Sequence, residues 1–535
     1  MASNLPSKRL FLLTIYTQSF SMFTSVSQES VLNLPGQIVQ SFVNTSFVAR
    51  YHYTPQPTQL ASLWSTVVAI YIAGKLVSCF FTPILADKLG RKLTLFTVAN
   101  VISLVGSALM MSSKATNAFE LLIVGRFVIG LSAGMTNIVL AIYIAELAPT
   151  KIRGLSSATL GVLMNSMNVF TLLVSFPFAL GTVERWPYLL GISAIPSAIL
   201  LISTPFLPET PSYDLIARGD FRRASTTVTK LYGFAMSGTD PETEARRVLE
   251  TVAKQHRTKD EDMSWKTIWY DISLRKGIIL SLLIGLLRAS SGHYALNTYS
   301  VQIFASVGLS RLQSAIAAVG IAAGSALSGV LVTVLIERVG RRLLLLGPTA
   351  LGAVAWTVIS VADFYPQARW SPWLSLVAIV SFVIVVPFCN TVGFFVPAEL
   401  VPQAARSLSS TAQIVVVSLS AFIELFFLPI VETNIAGGAY VLIFVAPLVV
   451  IFVALFLYLP ETKQKPIYVI TSQLRRHRIA WRNSTSKSRP HYDSGYYRIS
   501  EGGADIEEDE TARLIPSNEK SKSETGQSGQ YGTTK

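Results

Sequence analysis

Long apolar runs alternate with short polar segments along most of this chain. A helix needs about 20 consecutive apolar residues to cross a bilayer. Runs of that length predict an all-α membrane protein with twelve transmembrane helices. The predicted spans are 10–32, 61–85, 93–112, 119–148, 155–181, 186–206, 275–305, 313–336, 343–363, 373–397, 407–431 and 437–459.

Composition and charge support a membrane protein. Of 535 residues, 51% are hydrophobic and only 14% are charged, which is too apolar for a soluble protein of this size. The net charge is +13, but the cations cluster in alternate loops between apolar runs, which argues against nucleic-acid binding. By the positive-inside rule both termini are cytoplasmic. Cys79 and Cys389 both lie in apolar runs, so no disulfide is expected.

The polar segments divide the chain into parts. We expect a cytoplasmic leader at 1–9, a first six-helix half at 10–206, a cytoplasmic linker with short helices at 207–273, a second half at 274–462 and a disordered tail at 463–535. The polar stretch 33–58 reads as an outer loop, and Asn44 in it begins a glycosylation sequon. The tail carries an acidic dileucine pattern typical of sorting signals that trafficking adaptors bind, at Glu510, Leu514 and Ile515. The protein is therefore expected in the plasma membrane or in an endosomal or lysosomal membrane.

A set of charged features occurs twice. The turn Ala86–Lys92 combines an acid, a glycine and cations between two apolar runs, and Glu337–Arg342 repeats it. The paired residues stand 250 to 253 positions apart and follow the same order: Asp87 and Glu337, Glu146 and Glu399, Arg153 and Arg406, Pro208 and Pro460. This repeat predicts two parallel six-helix halves with a binding site between them near the middle of the membrane.

The repeated charges suggest a gate. All of them fall at the end of the bundle that carries the two turns, so ion pairs there would hold the inner side shut while the outer side is open. The alternative is that the cations only fix the topology. The candidate gating residues are Asp87, Arg91, Lys92, Glu146, Arg153, Glu209, Glu337, Arg341, Arg342, Glu399, Arg406 and Glu461.

These motifs resemble those of the sugar-porter family of the major facilitator superfamily, and most closely the animal facilitative glucose transporters. The resemblance covers about 10–465 and implies twelve helices, a central solute site and alternating access. The segments that carry it are Gly125-Arg126-Phe127 with Gly130, Tyr143 to Thr150 with Arg153-Gly154, Pro208 to Ser212, Glu337 to Arg342, and Pro397 to Leu400.

Much of that family's hexose site is missing. The family has Gln-Gln-Leu-Ser-Gly-Ile-Asn in its seventh helix, whereas this chain reads Arg288 to Tyr294, with only Ser291-Gly292 matching well. The family's other polar positions fall on apolar or small residues here: Gly161, Ser325, Val386 and Phe394. Asn33 and Pro35 of the first helix do match. A cavity without bidentate amides should not bind glucose in the family's way.

Charged side chains within the predicted spans mark the altered site. They are Glu29, Lys75, Arg288, His293 and Glu424, and each should face the cavity or a partner. Glu29 and Arg288 are 259 positions apart on equivalent helices. We expect them to form an ion pair across the cavity, which could be purely structural, or Arg288 to bind an anionic group. Glu29 also lies where proton-coupled relatives carry a carboxylate, so proton uptake is an alternative.

The sequence therefore predicts an alternating-access transporter for a hexose or a related small polar solute, with an atypical site. Two alternatives stay open: an ion- or proton-coupled carrier of a charged organic solute, and a non-transporting solute sensor. No enzyme motif occurs, and no cofactor, metal or nucleic acid is expected. The candidate substrate-binding residues are Gln28, Glu29, Asn33, Arg288, Ser291, His293, Asn297 and Phe394.

Overall fold

A computed structural model describes residues 8–147, 153–232, 243, 245–250, 270–401, 403–435, 437–463, 465 and 467–475. Every regular element in these ranges is a helix. Most of the predicted tail, including Glu510, Leu514 and Ile515, lies outside the described residues, as do parts of the leader and the linker. The side chains of Arg153, Glu337 and Arg406 are not described either.

The first half of the chain contains eight helices in its described part. They are α1 Lys8–Ser30, α2 Gly36–Tyr51, α3 Pro57–Leu89, α4 Leu93–Ala115, α5 Phe119–Leu147, α6 Arg153–Val174, α7 Trp186–Leu190 and α8 Ala194–Ser203. Two further helices follow in the polar linker, α9 Pro211–Ile216 and α10 Phe221–Tyr232.

The described part of the second half repeats this order. Its helices are α11 Ile272–Ser290, α12 His293–Ser306, α13 Arg311–Arg338, α14 Arg341–Phe364, α15 Ser371–Leu400, α16 Gln403–Ile435 and α17 Gly438–Tyr458. A short helix, α18 Ile467–Arg475, comes after the last span.

Eight of the described helices, α3 to α5 and α13 to α17, are each long and apolar enough to span a bilayer. The four other spans consist of α6 and of three helices that are broken in the middle, α1–α2, α7–α8 and α11–α12. The predicted all-α fold with twelve transmembrane helices is thereby confirmed. Because successive spans alternate in direction, α1 begins at the end of the bundle where α3 finishes. We call this the turn end, since it carries the turns after α3 and α13.

The first span and the polar stretch after it differ from the prediction. The span was expected to run unbroken over 10–32 and to lead into a loop, but α1 ends at Ser30 and α2 covers most of the expected loop. Val39, Val43 and Phe47 explain the second helix, because they recur every fourth residue and are buried. Asn44 therefore lies in a helix rather than a loop, and its glycosylation stays a prediction.

Three other predicted spans also differ from expectation: one ends early, and those at 186–206 and 275–305 are broken. Helix α6 ends at Val174, short of the expected residue 181, because Pro177 lacks the N–H that a continuing helix would need. The span expected at 275–305 breaks at Ser291 and Gly292. Gly292 has φ +85°, a left-handed conformation that glycine adopts without strain. A β-carbon there would also overlap the indole ring of Trp356, whose Nε1 donates a hydrogen bond to the Ser291 carbonyl.

The internal repeat is visible in atomic detail at the two charged turns. Gly90 and Gly340 have φ values of 95° and 107°. Directly after each glycine, an arginine Nη1 donates to the carbonyl five residues before it, from Arg91 at 3.2 Å and from Arg341 at 3.0 Å. Two turns 250 residues apart thus share backbone conformation and side-chain bonding. This supports a duplicated six-helix unit.

The two halves contact each other through helices from both. Helix α3 packs on α16, α6 packs on α13, and α1 touches α12. The site described below lies among these helices. Residues 209–232 and 245–250 form a separate small unit, with its own buried cluster of Leu215, Ala224, Val228, Ala245 and Leu249.

Candidate functional site

A cavity lies between the halves, at the level where α11 gives way to α12. Helix α6 of the first half and helices α12, α13 and α15 of the second half form its wall. Its empty volume is about 360 Å³, a figure that counts open solvent at its mouth. The residues that line it are Asn165, Asn168, Leu172, His293, Leu296, Asn297, Ser300, Ala318, Ile321, Ala322, Ser325 and Val386.

Amides and hydroxyls provide the polar part of this lining. Asn168 Nδ2 donates to Asn297 Oδ1 across the two halves, at 3.0 Å. Asn297 Nδ2 lies 3.3 Å from His293 Nε2. Sequence reasoning predicted His293 and Asn297 but missed Asn165 and Asn168. Their spacing along α6, with Leu172 four residues after Asn168, was a signal, because it places two amides on one face of an apolar helix.

The break between α1 and α2 holds Asn33, which joins the two halves. Its Nδ2 lies 2.9 Å from the Asn297 carbonyl and 2.8 Å from Ser300 Oγ, both on α12. Its Oδ1 accepts the backbone N–H of Val301 at 3.1 Å. Asn33 was predicted to bind solute, but in this conformation its amide is used by α12. It therefore ties α1–α2 to α12 on the side of the cavity away from the turn end.

Glu29 forms an ion pair with Lys75 and not with Arg288, so the expected pair between Glu29 and Arg288 is wrong. Lys75 Nζ on α3 lies 2.6 Å from Glu29 Oε1, and the two side chains are only 9% and 6% exposed. The other carboxylate oxygen, Oε2, is 4.0 Å from His293 Nε2. Two long side chains of α3 reach α1 within the same half: Tyr71 Oη donates to the Ser25 carbonyl, and Lys75 Nζ donates to Glu29. The Glu29 charge is thus neutralised inside the first half.

Arg288 lies in the last turn of α11, toward the turn end from the cavity. Its Nε lies 3.4 Å from Asn390 Oδ1, and its guanidinium stands 5.8 Å from the centre of the Phe394 ring. Within the described part of the chain, no carboxylate is within 4.0 Å of it. Arg288 and Glu29 therefore occupy equivalent helices but have different surroundings.

Comparison with known proteins agrees with this architecture. The model of the "Sugar (and other) transporter" family matches residues 17–474. The chain belongs to this family of membrane transporters. It is therefore an integral membrane protein that crosses the membrane several times, and it is not an enzyme.

Its curated relatives include facilitated glucose transporters of solute carrier family 2. Member 1 from Gallus gallus is 29% identical over 455 residues, covering 83% of this chain and 89% of that protein. Member 7 from Mus musculus is 30% identical over 461 residues, covering 85% and 88%. Member 3 from Gallus gallus is 31% identical over 407 residues, covering 75% and 79%.

Solved structures show the same fold. The inward open xylose transporter XylE from E. coli superposes with a TM-score of 0.69 at 16% identity, covering 86% of this chain and 99% of that one. The partially occluded inward open form of XylE gives a TM-score of 0.66 at 18% identity, covering 85% and 100%. At this identity the likeness shows the major facilitator fold alone.

Other predicted binding residues of this transporter do not face the cavity described above. Gln28 Nε2 donates to the Leu190 carbonyl at 2.9 Å, in the break between α7 and α8. Ser291 Oγ donates to the Arg288 carbonyl and so caps the end of α11. Phe394 is half exposed and lies under Arg288. Glu424 is buried on α16 and hydrogen-bonds Ser290, while its Oε2 has no partner among the described residues.

The predicted gating residues form similar clusters at the turn end of each half. Arg91 lies 3.3 Å from Glu146 and 3.2 Å from Asp87. Arg341 lies 3.3 Å from Glu399, and the Glu461 carboxylate accepts the first N–H groups of α14. These ion pairs all connect helices of one half. Lys92 and Arg342 follow the arginines of the two turns, and Glu209 belongs to the separate linker unit, where it accepts the N–H of Thr210.

Proposed function

We propose that this protein carries a hexose or a related small polar solute across a membrane by alternating access. One observation carries the proposal: a polar cavity lies between two six-helix halves that are joined on one side of it. Asn33 forms that junction through three of its contacts to α12, with Asn297, Ser300 and Val301. A solute in the cavity would be released toward the turn end when the two halves rotate relative to each other.

The cavity chemistry suits a polyhydroxyl solute. Asn165, Asn168 and Asn297 offer amide donors and acceptors, and Ser300 and Ser325 offer hydroxyls. Leu172, Leu296 and Ile321 supply an apolar wall of the kind that sugar rings pack against. This set differs from the hexose ligands expected of the family, so sugar preference need not follow that of the glucose transporters.

We place the turn end in the cytoplasm, because the clustered cations lie there. The charged clusters then act in gating by fixing the helices of each half to one another, so that each half moves as a rigid body. Opening the outer side would break the bonds of Asn33 and the bond between Asn168 and Asn297. These bonds and the inner clusters would together set the conformational equilibrium.

Uptake by purified protein in liposomes tests the proposal. We expect saturable uptake of at least one labelled sugar, with D-glucose and D-xylose as the first probes. A disulfide between cysteines introduced as Asn33→Cys and Ser300→Cys should stop this uptake, and a reducing agent should restore it. Each single cysteine variant is the matched control. Absence of saturable flux for all sugars and polyols tried would contradict the proposal.

Proton coupling is a second candidate, because Glu29 is a buried carboxylate beside the cavity residue His293. Lys75 opposes it, because the Glu29 carboxylate already forms an ion pair with this cation at 2.6 Å. An inward proton gradient that drives solute accumulation would support coupling. Uptake that only equilibrates, with or without a gradient, would support a facilitative carrier.

A non-transporting sensor is the third candidate, and binding without flux would indicate it.

We further propose that Glu510, Leu514 and Ile515 direct the protein through trafficking adaptors to the plasma membrane or to an endosomal or lysosomal membrane. Replacing Leu514 and Ile515 by alanine should change its steady-state distribution between these membranes. An unchanged distribution would contradict the sorting signal.

A further inference from the structure

We infer that Arg288 is an anion-binding subsite and that the transporter accepts a carboxylate-bearing polyol such as a hexuronate. This inference rests on the proposed transport function and names a substrate class for the same site. It starts from an imbalance of charge. The Glu29 carboxylate is neutralised by Lys75, whereas Arg288 has no carboxylate partner in the described part of the chain.

Among the described residues, the guanidinium of Arg288 has two free donor groups. Only Nε makes a hydrogen bond there, to Asn390, and the bond is long at 3.4 Å. Neither Nη1 nor Nη2 has an acceptor in the described part of the chain, and neither is among its buried unpaired atoms. An arginine fork with both ends free matches the geometry of a carboxylate, which it binds through two parallel hydrogen bonds.

The surroundings hold Arg288 in this position. Its aliphatic stem lies against Gly393, where a β-carbon would come within 2.8 Å of Arg288 Cγ and 2.9 Å of Cδ. Its guanidinium stands over the Phe394 ring at 5.8 Å, a cation–π distance. Asn390 holds Nε from the side. The dipole of α11 offsets only a small part of the cost of a partly buried charge, so the fork gains most from a bound anion.

Arg288 also lies within reach of a solute in the cavity. Val386 lines the cavity, and Asn390 and Phe394 follow it on the same face of α15 at four-residue spacing. Arg288 is therefore about one helical turn, about 5.4 Å, toward the turn end from the cavity wall. A carboxylate at one end of a sugar could contact the fork while the hydroxyls of the sugar contact the amides on α6 and α12.

Binding and uptake of D-glucuronate, compared with D-glucose, test this inference on the full-length purified protein. We expect D-glucuronate to raise the thermal unfolding temperature and to be taken up into liposomes. In Arg288→Gln, its half-saturating concentration should rise about tenfold or more, since charge-assisted hydrogen bonds are lost, while that of D-glucose changes far less. Because glucuronate is a monoanion, its uptake should also increase when the liposome interior is made positive.

Two further variants keep the test decisive. Gly393→Ala places a methyl group against the Arg288 stem, so it should weaken D-glucuronate recognition while the guanidinium is retained. This variant carries the test if Arg288→Gln does not fold. The control is Arg369→Gln, which removes an exposed arginine from the loop between α14 and α15 and should change neither solute.

The outcomes separate this inference from the transport proposal. D-Glucose uptake without D-glucuronate binding would overturn the anion subsite and leave transport standing. D-Glucuronate binding that Arg288→Gln abolishes, without flux of either solute, would support the subsite and contradict transport. Equal losses for both solutes in Arg288→Gln would overturn the subsite, because they would make Arg288 a structural residue.

Discussion

Two of the three broken helices, α1–α2 and α11–α12, occupy the same place in the two halves but differ in charge. Each carries one charged residue just before its break, Glu29 in the first half and Arg288 in the second. Glu29 has a counter-charge, Lys75, at 2.6 Å, whereas Arg288 has none in the described part of the chain. The charged turns, in contrast, match closely in both halves. The repeat thus preserves the charged turns at the ends of the helices. The difference in charge at the two broken helices marks where solute selectivity would arise.

The largest expected effect comes from breaking the Glu29–Lys75 pair. Lys75→Met should destabilise the protein by about 3–5 kcal/mol, because it removes the cation that lies against a buried carboxylate. Arg288→Met should cost little or even stabilise, because it removes a charge that has no carboxylate partner in the described part of the chain. Unfolding of each variant in a detergent series measures these losses of stability. The double variant Glu29→Gln, Lys75→Met is the control. Equal losses from Lys75→Met and Arg288→Met would break the comparison.

A smaller effect should follow from changing the glycine at the second break. Gly292→Ala forces an alanine into a left-handed conformation and against Trp356, and should cost about 1–3 kcal/mol. Gly320→Ala is the control, because its β-carbon would meet nothing within 4 Å and α13 should gain slightly. Thermal unfolding of both variants measures the difference. Equal unfolding temperatures for the two variants would show that the protein does not need glycine at the break to be stable.

Asn33 should affect conformation with only a modest loss of stability. Asn33→Ala removes the contacts to α12 and should cost about 1–2 kcal/mol, which favours opening on the side away from the turn end. A cysteine at Ser300 should then react faster with a membrane-impermeant thiol reagent. The control is Asn434→Ala, whose side chain bonds, among the described residues, only to the Ile430 carbonyl of its own helix. Unchanged labelling would show that Asn33 does not hold this side closed.

The charged clusters should give the smallest and most similar effects. Glu146→Gln and Glu399→Gln each weaken a partly exposed ion pair and should cost about 1 kcal/mol or less. Glu399→Gln should be the more costly, since Glu399 also accepts a hydrogen bond from Thr462. High salt should reduce both effects. A large loss in only one of the two variants would contradict the matching of the two turns.

The sequence was sufficient for the twelve spans and the duplication, because apolar length and repeated charges are local features. It could not predict the breaks, since the first apolar run continues through Val31 and Leu32. The partner of Glu29 was also missed, because it depends on which helices pack together. Repeat spacing suggested Arg288, but the long side chain of Lys75 on α3 reaches Glu29 instead. Asn165 and Asn168 became site residues only once α6 was placed opposite α12.

The most direct test of alternating access measures distances between the halves at both ends of the bundle. Spin labels at Leu89 and Val339, which are exposed and equivalent in the repeat, report on the turn end. Labels at Tyr51 and Leu312, also exposed, report on the opposite end. Adding a transported solute should change the two distances in opposite directions. The distance at one end of the bundle should lengthen while the distance at the other end shortens. Distances that stay fixed, or that change in the same direction at both ends, would contradict the account.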